Sequence, residues 1–254
     1  MNNFLLEPLL NMDSYRDLLR DIERKLSPIF LYGLIDEDLG HFVYGLNEHL
    51  NKQILLVTYD EAKSKRLYED IRNLGNENVE HFPSKEKLFY EIDAHSYDNM
   101  NQRLKVLTKF LKGEEIIVIA SLEALLDRAV KKEIFEDYTQ TIAFGEPIDL
   151  DSLTSTLIAG GYERVQMVEG IGQFSIRGGI IDIFPPNSQN PYRIELFDDE
   201  VDSIRSFDVV TQRSIDVLDS ISIPPVREVL ILEEYRQKIH ENLKKELDSH
   251  NYQD

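Results

Sequence analysis

Three short, almost wholly apolar runs set the tightest limit on what this chain can fold into: IFLYG at 29–33, ILLVT at 54–58 and IIVIA at 116–120. Such runs suit strands covered on both faces, and they are too short for a buried helix. Helical periodicity lies between and before them. Tyr15, Leu18, Leu19, Ile22 and Leu26 recur at helical spacing after Asp13 and Ser14 as candidate caps. Leu39, Phe42, Val43, Leu46 and Leu50 form a second such stripe. Leu67, Ile71 and Leu74, stopped by Gly75, form a third, and Leu104, Leu107 and Leu111, stopped by Gly113, a fourth. A further helix is predicted from a Ser121 cap through Leu122, Leu125 and Leu126 to Val130. Strand alternating with helix implies an α/β region with a parallel sheet and helices on both faces. It ends in the charged stretch 131–137.

The pattern changes near residue 141. After a helix carrying Leu150, Leu153 and Leu157 and ended by Gly160 and Gly161, short alternating strands follow: QFSIRGGIIDIFPP, then YRIELFDDEVDSIRSFDVV. This is an α+β unit with an antiparallel sheet. Tyr192, Ile194 and Leu196 should share the core face, and Arg193, Glu195 and Phe197 the other. Asp198, Asp199 and Glu200 are expected to make the hairpin turn. Pro224 and Pro225 mark a stiff exit, and a helical pattern returns over 231–248 with Ile239, Leu243 and Leu247.

Charge decides which partners are open to such a chain. Lys and Arg total 28 against 47 Asp and Glu, a formal net charge of −19. A surface of that sign repels a nucleic-acid backbone unless its basic residues are segregated, so a protein or small-molecule partner is favoured. The absence of cysteine removes disulfides and thiolate metal sites. The first residues lack the basic and apolar blocks of a secretory signal, and no run approaches a membrane span. A cytoplasmic protein without membrane insertion is expected.

Nucleotide chemistry would belong at the first strand-to-helix turn, where backbone amides can cradle phosphates. That turn reads GLIDEDLG over 33–40, with Asp38, Leu39 and Gly40 where a phosphate loop needs glycine, lysine and a hydroxyl. Asp36, Glu37 and Asp38 add negative charge at the same place, so a helix cap or a non-binding relic is the better reading. The six histidines show no metal-ligand spacing, and no nucleophile followed by a base stands out, so neither a cofactor nor a metal is expected. Gly178 and Gly179 lie inside a strand pattern, where glycine marks a bulge or a close backbone approach.

Residues 141–226 hold Arg164, Arg177, Arg193, Arg205 and Arg213, no lysine, and 14 acidic residues, a balance of 5 − 14 = −9. Arginine's planar fork suits bidentate grip on carboxylates at an interface. The competing reading is solvated arginines on the wet face of a sheet.

The run from 161 to 215, with GYER, SIRGG, IDIFP, YRIELFDDEVDSIRSFD and TQRS, closely resembles the UvrB-homologous domain 2 of the transcription-repair coupling factors. HFPSKEKLFYE, NQRLKVLTKF and IIVIASLEALLDRAV resemble the first domain of that family. The resemblance implies an amino-terminal module. Its parts would be a degenerate P-loop-like domain 1a over 1–140, interrupted by the UvrA-binding domain 2 over 141–226, and the start of a truncated domain 1b over 227–254. It implies a non-catalytic part that recruits UvrA in nucleotide excision repair. Arg164, Arg177 and Arg193 match UvrB positions that engage UvrA, and Phe184 is similar to a nearby aromatic contact, whereas Arg205 and Arg213 keep the solvated-surface reading. A complete member continues into an RNA-polymerase-interacting domain, a translocase that moves on DNA and a carboxy-terminal domain that masks domain 2. The alternative is an active UvrB-like ATP-binding or DNA-clamping domain, which would need a working phosphate loop and a basic groove. A third is a structural domain that holds its neighbours in a resting arrangement.

Overall fold

A computed structural model describes residues 4–85, 93–127, 129–230 and 240–245, the side chains of 93–97 excepted. Contacts divide the chain into two compact units, residues 1–128 and 129–254.

In the first unit, α1 (Glu7–Leu10) and α2 (Asp13–Glu23) precede α3 (Asp36–Leu50), β1 (Ile54–Thr58), α4 (Glu61–Asn73), β2 (Val79–Phe82), α5 (Asp93–Leu111), β3 (Ile117–Ser121) and α6 (Leu122–Leu126). The three strands form a parallel sheet in the order β1-β3-β2. One face packs Ile117, Ile119 and Val79 against Leu67 and Ile71 of α4 and Val43 of α3. The other packs Val118 and Ala120 against Val106 of α5. Asp60 caps α4 by accepting from the Lys63 amide at 2.7 Å, and Ser121 caps α6 by accepting from the Ala124 amide at 3.1 Å.

Two expectations fail here. The run 29–33 forms no strand, and Phe30 and Tyr32 are 86% and 89% exposed. Strands exist by pairing, and the apolar content of this segment goes elsewhere: Leu31 and Leu34 line a groove with Leu9, Tyr15 and Phe42. The third strand is instead β2, whose Glu80 and His81 interrupt its apolar character. Glu80 is 3% exposed, yet it accepts from Lys109 at 2.8 Å, Lys105 at 2.9 Å and Gln102 at 3.0 Å, all on α5. Paired in this way, a carboxylate can occupy a sheet interior. The helix predicted to reach Val130 stops at Leu126, because Asp127 turns extended and its carboxylate accepts from the Lys85 amide at 3.3 Å.

The second unit holds α7 (Lys132–Asp137), β4 (Gln140–Ala143), α8 (Leu150–Ala159), β5 (Glu163–Arg164), β6 (Gln173–Arg177), β7 (Ile180–Ile183), β8 (Tyr192–Phe197), β9 (Glu200–Phe207), β10 (Ser214–Val217) and β11 (Ser220–Ile223). Six strands make a sheet in the order β10-β9-β8-β7-β6-β5, antiparallel except for β5 beside β6. β4 and β11 pair as a separate antiparallel ribbon. Leu153 and Leu157 of α8 cover the inner face, against Phe174, Ile181, Ile194 and Ile204. Tyr192 and Leu196 lean on that core, as the alternation of β8 requires. The turn after β8 is tighter than expected: Glu200 already pairs with Phe197, leaving Asp198 and Asp199 as the loop, with Asp198 at φ 61°. The helix expected over 231–248 lies largely outside the described residues, of which 240–245 are helical.

Candidate functional site

At the turn where a phosphate loop would sit, Asp36, Glu37 and Asp38 form the first turn of α3. Carboxylates there oppose the positive end of the helix dipole, and Asp36 also accepts from the Lys63 ammonium at 2.7 Å. The acidic run therefore begins a helix but does not cap it: the N-cap is Ile35, which makes no side-chain capping bond, and among the described residues no strand precedes the turn. We expect no saturable ATP binding by calorimetry at micromolar protein. Binding that disappears when residues 33–40 are altered would contradict this.

The carboxyl ends of the parallel strands, where α/β sheets place ligands, carry a cluster that sequence spacing did not reveal. His81 Nε2 lies 2.9 Å from Ser64 Oγ and 3.3 Å from Glu61 Oε1, while Ser121 donates to Glu61 Oε2 at 2.7 Å. The residue types are those of a hydrolytic triad, but the geometry is not. Serine and carboxylate both address the same imidazole nitrogen, whereas a triad uses the two nitrogens separately. Ser64 is fully buried, so its hydroxyl cannot meet a substrate.

Desolvation holds the His81 imidazole below its ordinary value of 6.5, against the opposing pull of Glu61 and Glu69 and with the help of Lys65. The unfolded chain therefore takes up the proton first, and stability falls as pH drops through the ordinary imidazole range. Melting of the parent between pH 8 and 5.5 should show this loss, and His81→Gln should flatten it. An equal slope in both proteins would contradict the assignment.

Three arginines of the second unit lie on the outer face of the six-stranded sheet. Strand alternation puts Arg177 of β6, Asp182 of β7, Arg193 and Glu195 of β8 and Arg205 of β9 on that face, opposite the core. Asp182 is 1% exposed and is the centre of the group. Its Oδ1 accepts from Arg193 Nε at 2.7 Å, and its Oδ2 accepts from Arg193 Nη2 at 2.9 Å and from Arg177 Nη2 at 2.7 Å. Arg193 also donates to Gln212 Oε1 at 3.0 Å, and its guanidinium lies 4.5 Å from the centroid of the buried Phe207 ring. The bond to Asp182 raises the Arg193 guanidinium above its already high ordinary value. Arg205 pairs with Glu195, which also accepts from Ser203 at 3.0 Å.

Arg177, Arg193 and Asp182 together leave 2 − 1 = +1, within a segment whose balance is −9, while Glu200, in register with Phe197, and Glu163, in register with Gln173, add negative charge to the same face. The arginine fork meets a carboxylate here, as its chemistry suggests, but for Arg193 that carboxylate is the chain's own. Arg177 spends one nitrogen on Asp182, and its side chain remains 49% exposed. Arg164 stands apart on the edge strand β5. It is exposed, has no side-chain partner among the described residues, and is in register with the core residue Phe174 rather than with the outer face. Arg213 is exposed in the loop before β10, outside the cluster.

Phe184 is only 8% exposed, whereas Phe197, at the far end of β8 on the same face as Arg193, is 79% exposed. Sequence alternation had put Phe197 on that face; only the structure shows which of the two rings is accessible. Gly178 and Gly179 turn the chain between β6 and β7. Gly178 has φ 60°, and a Cβ on Gly179 would stand 3.0 Å from the Leu196 carbonyl oxygen. The close backbone approach read from the sequence holds for Gly179 alone, and the pair makes a hairpin turn instead of lying inside a strand; the approach brings the Arg177 hairpin against the strand that carries Phe197.

Among the described residues no helix is long and apolar enough to cross a membrane. Residues 141–228 match the family of the UvrB interaction domain. The chain is similar to a transcription-repair-coupling factor of Bacillus subtilis, 37% identical over 232 residues, which is 91% of this chain and 20% of that protein. A transcription-repair-coupling factor of Staphylococcus aureus is 36% identical over 195 residues, 76% of this chain and 17% of that protein. The chain thus spans about a fifth of the length of the relatives it matches.

Proposed function

The chain belongs to the transcription-repair-coupling factor family over the stretch it shares with those proteins, and on that premise we propose that it recruits UvrA through the outer face of its antiparallel sheet. The observation that carries the reading is the state of that face. It presents a half-exposed Arg177 and, further along the same face, an exposed Phe197, and Arg177 with Arg193 leaves one positive charge in excess of Asp182. Arginines and aromatics of this kind dominate the energetics of protein interfaces, and a guanidinium with donors to spare selects an acidic group of the partner. Residues 141–226 form the UvrA-binding domain 2 in this reading, between a P-loop-like domain 1a over 1–140 and the start of domain 1b over 227–254.

Arg164 joins the surface from its edge, and Arg193 serves it chiefly by holding Asp182. Phe184 acts from beneath. The chain itself is non-catalytic, works in the cytoplasm and leaves translocation on DNA and contact with RNA polymerase to other parts of the protein. A pull-down of purified UvrA by the whole chain tests the proposal. Retention of UvrA is the expected result, and failure to retain it at micromolar concentrations of both proteins would overturn it. The rival reading as an ATP-binding or DNA-clamping domain is opposed by the acidic first turn of α3 and by the net charge of −19.

A further inference from the structure

Resting on that reading of the outer face, we infer that Asp182 is its positioning residue: a buried carboxylate that fixes the Arg177 guanidinium by one nitrogen and leaves the remaining donors to an anionic group of the partner. A carboxylate at 1% exposure persists only if it is fully paired, and Arg193 alone nearly meets that need. Arg193 engages both carboxylate oxygens, is largely covered, and lies against Phe207. Arg177 is the second cation on the same anion, and its side chain is about half exposed. The pair of arginines on one carboxylate therefore carries a surplus positive charge, and that charge resides on the arginine that can be reached. An unheld arginine would give up rotamer freedom on binding, whereas one held through Nη2 has already lost it, so the partner's oxyanion meets a fork set in place. The ligand chemistry is a carboxylate on the surface of UvrA, gripped through the fork of Arg177 that Asp182 leaves open, the second N–H of Nη2 together with Nη1 or Nε.

The test compares the UvrA affinity of the parent chain, Arg177→Ala, Asp182→Asn and the double variant, each measured well below its melting temperature. Asparagine keeps one oxygen for Arg193 but lacks the charge and the second acceptor that hold Arg177. Asp182→Asn should weaken binding about tenfold in the parent and should cost little more once Arg177 is alanine. A folded Asp182→Asn that binds like the parent, while Arg177→Ala has lost affinity, overturns the positioning role and leaves the docking surface standing. Equal losses in both backgrounds overturn it too, since they point to a general structural effect. If Arg177→Ala itself binds like the parent, the arginine-centred surface falls, and the inference with it. Should Asp182→Asn fail to fold, nitrogen relaxation of the arginine side chains in the parent decides. Arg177 Nε should be markedly more restricted than Arg213 Nε, and equal mobility overturns the inference.

Discussion

Arg193→Ala should destabilise the second unit by about 3 to 5 kcal/mol, the usual cost of stripping one partner from a buried ion pair. The loss comes from what remains behind. Asp182, 1% exposed, would keep only the bond from Arg177 and lose both of those from Arg193. Phe207 would lose the guanidinium that lies over it, and Gln212 Oε1 a donor. For a domain of this size the melting temperature should fall by roughly 10 °C or more. Arg193→Lys should recover only part of this, because an ammonium cannot reach both carboxylate oxygens in the plane of the fork. Replacing Asp182 and Arg193 together by apolar residues of similar volume should restore much of the loss, since no unpaired charge then stays buried. Thermal melts of the three variants check the account. An Arg193→Ala protein that melts with the parent would show that the Asp182 cluster is not the anchor described here. It follows that weak UvrA binding by Arg193→Ala says little about a direct contact unless its folding is measured beside it.

Much of this surface was legible in the residues. Alternation along YRIELF placed Ile194 with the core and Arg193 outside it, and the lack of lysine among five arginines pointed to bidentate carboxylate contacts. The identity of the carboxylate was not legible. Asp182 lies eleven residues from Arg193, and only the β7–β8 register sets them side by side. Exposure was equally hidden: Phe184 and Phe197 both fall on the outer parity, and tertiary packing alone covers the first and bares the second.

In the first unit the apolar runs 54–58 and 116–120 gave β1 and β3, and the helical stripes gave α2 to α5. The apolar pattern misleads where apolarity and pairing part company. The run 29–33 is apolar yet exposed, and β2 is polar in the middle yet buried, because lysines from a helix some 25 residues onward neutralise Glu80. Periodicity records which face of an element is apolar, and it does not record a long-range ion pair that lets a carboxylate enter the sheet.

Arg177→Ala should have the opposite profile to Arg193→Ala. Its side chain is 49% exposed, and Asp182 would keep both bonds from Arg193, so stability should change by no more than about 1 kcal/mol. Binding is where the loss should appear. Removing one member of a desolvated charge pair at an interface costs about 2 to 5 kcal/mol, equivalent to roughly thirtyfold or more in affinity. Arg177→Lys should lose most of the same amount: a single ammonium can satisfy Asp182 or reach the partner, but it cannot do both. Arg213→Ala, which changes an exposed residue outside the cluster, should bind nearly as the parent does and serves as the control.

The affinity of the whole chain for purified UvrA, measured for the parent, Arg177→Ala and Arg213→Ala after melts establish that all three are equally folded, tests the central claim most directly. The account predicts a loss of roughly thirtyfold or more for Arg177→Ala and about none for Arg213→Ala. Equal affinities for all three proteins would contradict it and return the outer face of the sheet to ordinary solvated surface.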